Sequence, residues 1–218
     1  MKLILASGSP RRKELMEYLG LEFQVMIADV TEDTLQGEAP QDMVMRLSLE
    51  KASSVAGNLK DGYVIGGDSM VVLDGQPLGK PVNADDARRM LRRLSGTRHQ
   101  VMTGISVLNA ATGKRMTEFM ASPIKLRILT ETEIDTSILS GAPFDKAGAY
   151  AVQDQELHPT EWWQGCYSNI VGLPLCRLLD MLREMGFPIT GRQSMKAPPG
   201  CRGECSFDFG NQSREMLP

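Results

Sequence analysis

Along the first third of the chain, short apolar runs alternate with stretches whose apolar residues recur at helical spacing. Residues 2–6 are apolar, with Gly8 and Pro10 ending the run, and predict a strand. Ser9-Pro10 then reads as a helix start, a serine cap followed by proline at the first helical position. That helix is expected to reach Leu19, with Leu15 and Leu19 four apart and Gly20 as terminator. Residues 23–27 predict a second strand, and 29–40 an irregular, acid-rich loop. From Gln41 to about Ala56, the recurrence of Met45, Leu49, Ala52 and Ala56 predicts a helix with those residues inward. Residues 63–65 and 70–73 are strand-like pieces interrupted by Gly66-Gly67-Asp68-Ser69, and Asp74-Gly75 is a hairpin-turn signal.

The alternation continues downstream. Asn83 is expected to cap a helix whose inward stripe is Ala87, Met90, Leu91 and Leu94. Residues 101–108 and 115–129 predict two long strands joined near Thr112-Gly113. Thr130-x-x-Glu133 is a capping-box pattern opening a short helix to about Leu139. Residues 149–152 predict a further strand. Gly172-Leu173-Pro174 opens a last helix, with Leu175, Leu178, Leu179, Leu182 and Met185 inward and Gly186 at its end. Strands interleaved with helices give an α/β class with a mixed twisted sheet. No internal repeat is visible. After Pro188 the periodicity stops, so the expected organisation is one domain over 1–188 and a loosely ordered tail over 189–218.

Composition narrows the function classes. The 218 residues suit one sizeable domain. Twenty-four basic residues against 27 acidic ones leave a net charge of −3, without the basic footprint of a duplex nucleic-acid binder. No apolar run approaches the roughly 20 residues that cross a bilayer. The start, with Pro10, Arg11, Arg12 and Lys13 after a short apolar stretch, has the wrong order for a signal peptide, so the cytoplasm is the expected location. The four cysteines are Cys166, Cys176, Cys201 and Cys205. The spacing of the last two would allow a zinc site or a bridge, but no second pair completes it, and His99 and His158 lie far off in sequence.

Four short patterns carry candidate chemistry. Ser7-Gly8-Ser9-Pro10-Arg11-Arg12-Lys13 combines small residues, a helix N-terminus and cations, which suits a polyanion because arginine matches phosphate oxygens in a fork; a capped helix with solvated basic residues is the plainer reading. Gly66-Gly67-Asp68-Ser69 places an acid at a strand end, able to hold a divalent ion or accept a proton, or else a turn aspartate satisfying its own backbone. Lys80 in Leu78-Gly79-Lys80-Pro81 is a lysine on a constrained turn. Asp145-Lys146-Ala147-Gly148-Ala149-Tyr150, with Gln153 beyond, sets adjacent opposite charges before a small-residue strand, a surface ion pair of little energetic value by itself. The chain has no G-x-x-x-x-G-K-[ST], no G-x-S-x-G and no G-x-G-x-x-G after a strand, so P-loop, serine-hydrolase and dinucleotide chemistry lack support.

Taken together, Ser-Gly-Ser-Pro-Arg-Arg, Gly-Asp-Ser with Leu-Gly-Lys-Pro, Leu94-Ser95-Gly96 with His99 and Thr103-Gly104, Asp145-Lys146-Ala147-Gly148 and Val171-Gly172-Leu173-Pro174 resemble the Maf family of nucleoside triphosphate pyrophosphatases over about residues 2–187. The resemblance implies an elongated, two-lobed single domain with a central cleft, and hydrolysis of a nucleoside triphosphate between its α and β phosphates. It implies Asp68 as proton acceptor with Lys51 and Lys80 as further catalytic positions. Ser7, Ser9, Arg11, Arg12 and Lys13 would bind phosphate, and Asp145 and Lys146 would line the cleft. A magnesium or manganese ion would sit on Glu32 and Asp68. Arg11 and Gln153 are similar to the branch acting on dTTP and UTP, although Ser69 stands where that branch usually has threonine. The alternatives are a 7-methyl-GTP pyrophosphatase and a nucleotide-binding regulator of cell division. Where the family has a glycine-rich stretch, this chain has residues 154–163 with Trp162 and Trp163, open to reading as a lid, a homodimer contact, a base-stacking surface or core packing.

Overall fold

The apolar runs become the strands of a single mixed sheet. The computed structural model describes residues 1–189 and 195–201. In chain order the elements are β1 (Leu3–Leu5), α1 (Pro10–Glu17), β2 (Gln24–Val25), α2 (Pro40–Ala56), β3 (Tyr63–Leu73), β4 (Gln76–Leu78) and α3 (Ala84–Leu94). They are followed by β5 (Arg98–Asn109), β6 (Arg115–Leu126), α4 (Glu131–Leu139), β7 (Thr160–Trp163), α5 (Tyr167–Val171) and α6 (Leu175–Glu184). The sheet order is β2-β1-β3-β5-β6-β7, and β4 pairs with β3. β1 runs parallel to β2 and β3, and the remaining pairs are antiparallel. This is the expected mixed sheet flanked by helices.

The cap signals act as read. Ser9 caps α1 with Pro10 in its first turn, Asn83 caps α3, and both arms of the Thr130/Glu133 capping box close on α4. Three expectations need correction. The strand pieces around Gly66–Ser69 are one continuous strand, so Asp68 lies mid-strand and not at a strand end or in a turn. Residues 149–152 form no strand: Gly148 and Ala149 adopt φ of 68° and 66°, which breaks extended structure. The strand lies later, in β7, which pairs with β6. The third concerns α2. Its buried face is Val44, Leu47, Ser48, Lys51, Ala52 and Val55, whereas Met45 and Leu49 are only half-buried. Two polar residues on the inward face disguised it.

The period of two along β3 organises the packing. Tyr63 and Ile65 point into a first core under α1 and α6, and Val71 and Leu73 point into a second core shared with α3 and α4. Between the cores on that face lie Ser69 and its cross-strand partner Thr103, joined at 2.9 Å. Val64, Met70 and Val72 point the other way, toward α2. β1 pairs with β3 up to Ile65, and β4 takes up the same edge from Val71. Among the described residues no strand covers that edge between Gly66 and Met70, and this gap is where the cleft opens.

Within the segment expected as a loose tail, residues 195–201 lie on the first core. Met195 is 3% exposed in it, and the Lys196 N–H donates to the Tyr18 carbonyl at 2.8 Å. Residues 190–194 and 202–218, with Cys205 and hence the Cys201–Cys205 question, lie outside the described residues. No described helix is long and apolar enough to cross a membrane.

Candidate active site

The turn from β1 into α1 is built on its own hydroxyls. Ser7 Oγ accepts from the Ser9 N–H at 3.2 Å, and Ser9 Oγ accepts from the Arg12 N–H at 3.4 Å. The Arg12 guanidinium is spread over three acceptors: the Gly172 carbonyl at 2.8 Å, Ser69 Oγ at 2.9 Å and Ser7 Oγ at 3.2 Å. It thereby ties α1, β3 and the α5–α6 turn together, a task for a planar fork with several donors. Burial lowers its pKa from the ordinary arginine value, and the nearby Asp68 carboxylate works against that shift.

On the opposite face of β3, α2 approaches so closely that two strand positions must be glycine. A Cβ on Gly66 would stand 1.9 Å from the Ser48 carbonyl oxygen, and one on Gly104 would stand 2.0 Å from that of Val44. Gly66 therefore serves helix–sheet contact and not a turn. The approach presses Ser48 onto Ser106 (Oγ to Oγ 2.8 Å) and delivers Lys51 to Asp68. Lys51 Nζ donates to Asp68 Oδ1 at 2.6 Å, and Glu32, from the loop before α2, meets the same nitrogen at 2.6 Å. Burial alone would raise the Glu32 pKa, but the Lys51 ammonium, with Lys80 and Arg12 beyond it, holds the carboxylate below its ordinary value.

Residues 142–153 form the third wall. Asp145 joins Arg11 at 3.0 Å and its neighbour Lys146. Partial burial would raise the Asp145 pKa, and these two cations bring it down. The chain then turns through left-handed Gly148, where a Cβ would strike Val71 at 2.9 Å, and left-handed Ala149. Tyr150 follows, its phenol 2.6 Å from His99 Nε2 with the rings edge to face. His99 Nδ1 lies 3.1 Å from the Thr97 carbonyl, which only accepts. Nδ1 therefore carries the proton, and Nε2 accepts from Tyr150. Burial drives the His99 pKa down to about 4 and pushes the Tyr150 phenol up.

These three walls enclose a cavity of about 700 Å³, within the usual size of a small-molecule site. Ser7, Ser9, Arg11, Arg12, Glu32, Lys51, Asp68, Ser69, Lys80, Asp145, Lys146 and Gln153 all line it. Lys13 does not: it is exposed on the next part of the α1 turn. Five lining cations against three carboxylates leave +2 in a chain whose net charge is −3, so the cavity is an electropositive focus on an acidic protein. Trp162 and Trp163 lie outside it. Trp162 sits under the Arg98 guanidinium, 5.5 Å from its ring centroid, and Trp163 packs against the second core. Thr34 and Met43 also line the cavity and carry no signal in the sequence, whereas Tyr150, in the Asp145–Tyr150 pattern, and Thr103, in the family pattern, stand in the sequence without an assigned role. The left-handed Gly148-Ala149 pair makes the tight turn that brings Tyr150 to the cavity.

A family model described as "Maf-like protein" matches residues 2–185. The chain belongs to the Maf family. Curated relatives named dTTP/UTP pyrophosphatase include one from Pelotomaculum thermopropionicum, 45% identical over 188 residues and covering 86% of this chain and 98% of the relative. Another, from Clostridioides difficile, is 45% identical over 184 residues, 84% of this chain and 95% of the relative. Among solved structures, the Ham1 protein of Staphylococcus aureus aligns with a TM-score of 0.42 at 17% identity, over 58% of this chain and 72% of that one.

Proposed function

We propose that this chain is a nucleoside triphosphate pyrophosphatase that releases pyrophosphate from dTTP and UTP. The observation that carries the reading is Asp68, the one buried carboxylate among those lining the cavity, held by Lys51 where the other lining charges sum to an excess of cations. The family and the names of its curated relatives support the same activity.

In this reading Arg11, Lys80 and Lys146 gather the triphosphate, while Arg12 keeps the turn that carries Ser7 and Ser9 in shape. Asp68 Oδ1 is occupied by Lys51, which leaves Oδ2 to accept a proton from water. The water oxygen bonds to the α phosphorus as the bridging oxygen leaves with pyrophosphate. Gln153, which lines the same cavity, is left to meet the base, whereas the Ser69 hydroxyl is already engaged by Arg12 and Thr103.

The residues fit a magnesium or manganese ion. Glu32 and Asp68 offer hard oxygen donors, and they already converge on a cation, the Lys51 ammonium, at 2.6 Å each. Among the described residues no third carboxylate, histidine or cysteine joins them. That matches magnesium, which takes one or two carboxylates and fills its shell with phosphate oxygens and water. When bound, the ion would offset phosphate charge and polarise the phosphoryl oxygen.

Asp68→Asn tests the mechanism. Pyrophosphate release should fall by about 10²–10⁴, the usual weight of a general base, while a non-hydrolysable UTP analogue still binds. Turnover at the wild-type rate would remove Asp68 from its role. A kcat/KM panel of dTTP, UTP, CTP, GTP and 7-methyl-GTP tests the base preference, and a maximum at 7-methyl-GTP would reject it.

A further inference from the structure

Lys51 stands between two carboxylates that the reading above assigns to a divalent ion, and the inference rests on that reading. Its nitrogen is 2.6 Å from Glu32 Oε1 and 2.6 Å from Asp68 Oδ1, and its side chain and that of Asp68 are each only 11% exposed. We propose that Lys51 is a displaceable counter-cation: in the nucleotide-free protein its ammonium fills the bridging place between Glu32 and Asp68, so lysine and divalent ion compete for the same oxygens until a triphosphate draws the lysine away.

The arrangement requires some cation at that point. Two carboxylates this close, one of them buried, repel unless a positive charge lies between them. Arg12 does not take that place: its Nε and both terminal nitrogens are drawn to Gly172, Ser69 and Ser7, and among the described residues it pairs with neither carboxylate. Lys80 lines the same cavity and has no ion-pair partner among the described residues, but it contacts neither carboxylate. The backbone under Lys51 is fixed by the contact of α2 with Gly66 and Gly104. Release must therefore come from rotation of the lysine's flexible four-carbon stem, for which the oxygens of a triphosphate are the strongest attractor the reaction brings. That rotation frees a Glu32 and an Asp68 oxygen together, and these are the two that would hold a divalent ion, so nucleotide and ion binding would be coupled through Lys51.

The test reads metal binding and not turnover. Mn²⁺ alone is titrated by calorimetry into nucleotide-free wild type, Lys51→Gln, Lys51→Met and Lys80→Gln, each first shown to melt cooperatively. Loss of the competitor should tighten Mn²⁺ binding roughly tenfold or more in both Lys51 variants, whereas Lys80→Gln should change it by less than about threefold. Equal or weaker binding in the Lys51 variants overturns the proposal. So does an equal gain in Lys80→Gln, which would show that the general field of the cavity is responsible. In the wild-type chain, saturating Mn²⁺ should raise acetic anhydride labelling of Lys51 relative to Lys80, read by peptide mass spectrometry, and unchanged labelling would also overturn it. Mn²⁺ competition without pyrophosphate release from any triphosphate would instead sink the functional reading and leave the competition standing.

Discussion

Adding one methyl group at Gly66 is the sharpest structural test of how the site is held. In Gly66→Ala the new Cβ would lie 1.9 Å from the Ser48 carbonyl oxygen and 2.9 Å from the Ala52 nitrogen. Both are backbone atoms of α2, so no side chain can swing aside. The helix must back away by about 1.5 Å to restore ordinary van der Waals contact. Overpacking of this kind costs about 1–3 kcal/mol, and a backbone obstacle places it near the upper end. For a chain of this size that corresponds to a fall in Tm of roughly 6–12 °C. The same retreat shifts the α2 wall of the cleft and the base of the Lys51 stem, which has to reach Asp68 in the free protein and the triphosphate in the loaded one, and a misplacement near 1 Å is worth about 10² in rate. Gly57→Ala, at the other end of the same helix, supplies the control. Gly57 is right-handed, with φ −59° and ψ −19°, and its Cβ would meet only ordinary contact at 3.5 Å. That substitution should stabilise by about 0.4–1 kcal/mol. Differential scanning fluorimetry and a pyrophosphate-release assay on both variants decide the matter. If Gly66→Ala melts within a degree of wild type and keeps its kcat/KM, close helix contact is not what aligns Lys51 with Asp68.

Two further outcomes follow from buried groups. His99 has a folded pKa of about 4 against 6.5 when unfolded, so its contribution is complete above pH 6.5 and is lost as pH falls from 6.5 toward 4. The swing is about 3 kcal/mol; His99→Gln, which keeps an acceptor for Tyr150, should remove that limb from a plot of Tm against pH, and an unchanged slope would show that other groups set it. Met195→Ala should cost about 2 kcal/mol, or roughly 4–8 °C in Tm by scanning calorimetry, because the side chain is 3% exposed in the first core; an unaltered melt would mean that residues 195–201 add nothing to stability.

Local signals in the sequence proved dependable where local chemistry decides structure. Ser9-Pro10, Asn83 and Thr130-x-x-Glu133 satisfy nearby N–H groups, and each opens its helix. Misreadings cluster around Asp68 for a physical reason. Glycine and aspartate ordinarily punctuate a chain, but Gly66 exists to admit a helix from another part of the sequence, which no local pattern reveals. Likewise Ser48 and Lys51 look solvent-facing by polarity, and their burial makes sense only beside Ser106 and Asp68. The candidate residues were legible as a family pattern; what the residues alone withheld was that Arg12 is largely a structural clasp and that Lys51 is shared by two acids.

The alternation along β3 places Asp68 on the α2 side and Ser69 on the side of Arg12. A slip of one residue against β5 would exchange them, sending the acid to the guanidinium and the hydroxyl to the lysine. No intermediate alignment exists, since pleating admits only two orientations. Molecules that mispair this strand should thus be silent catalytically instead of merely sluggish, and specific activity becomes a direct gauge of the fraction of a preparation that has found the native pairing.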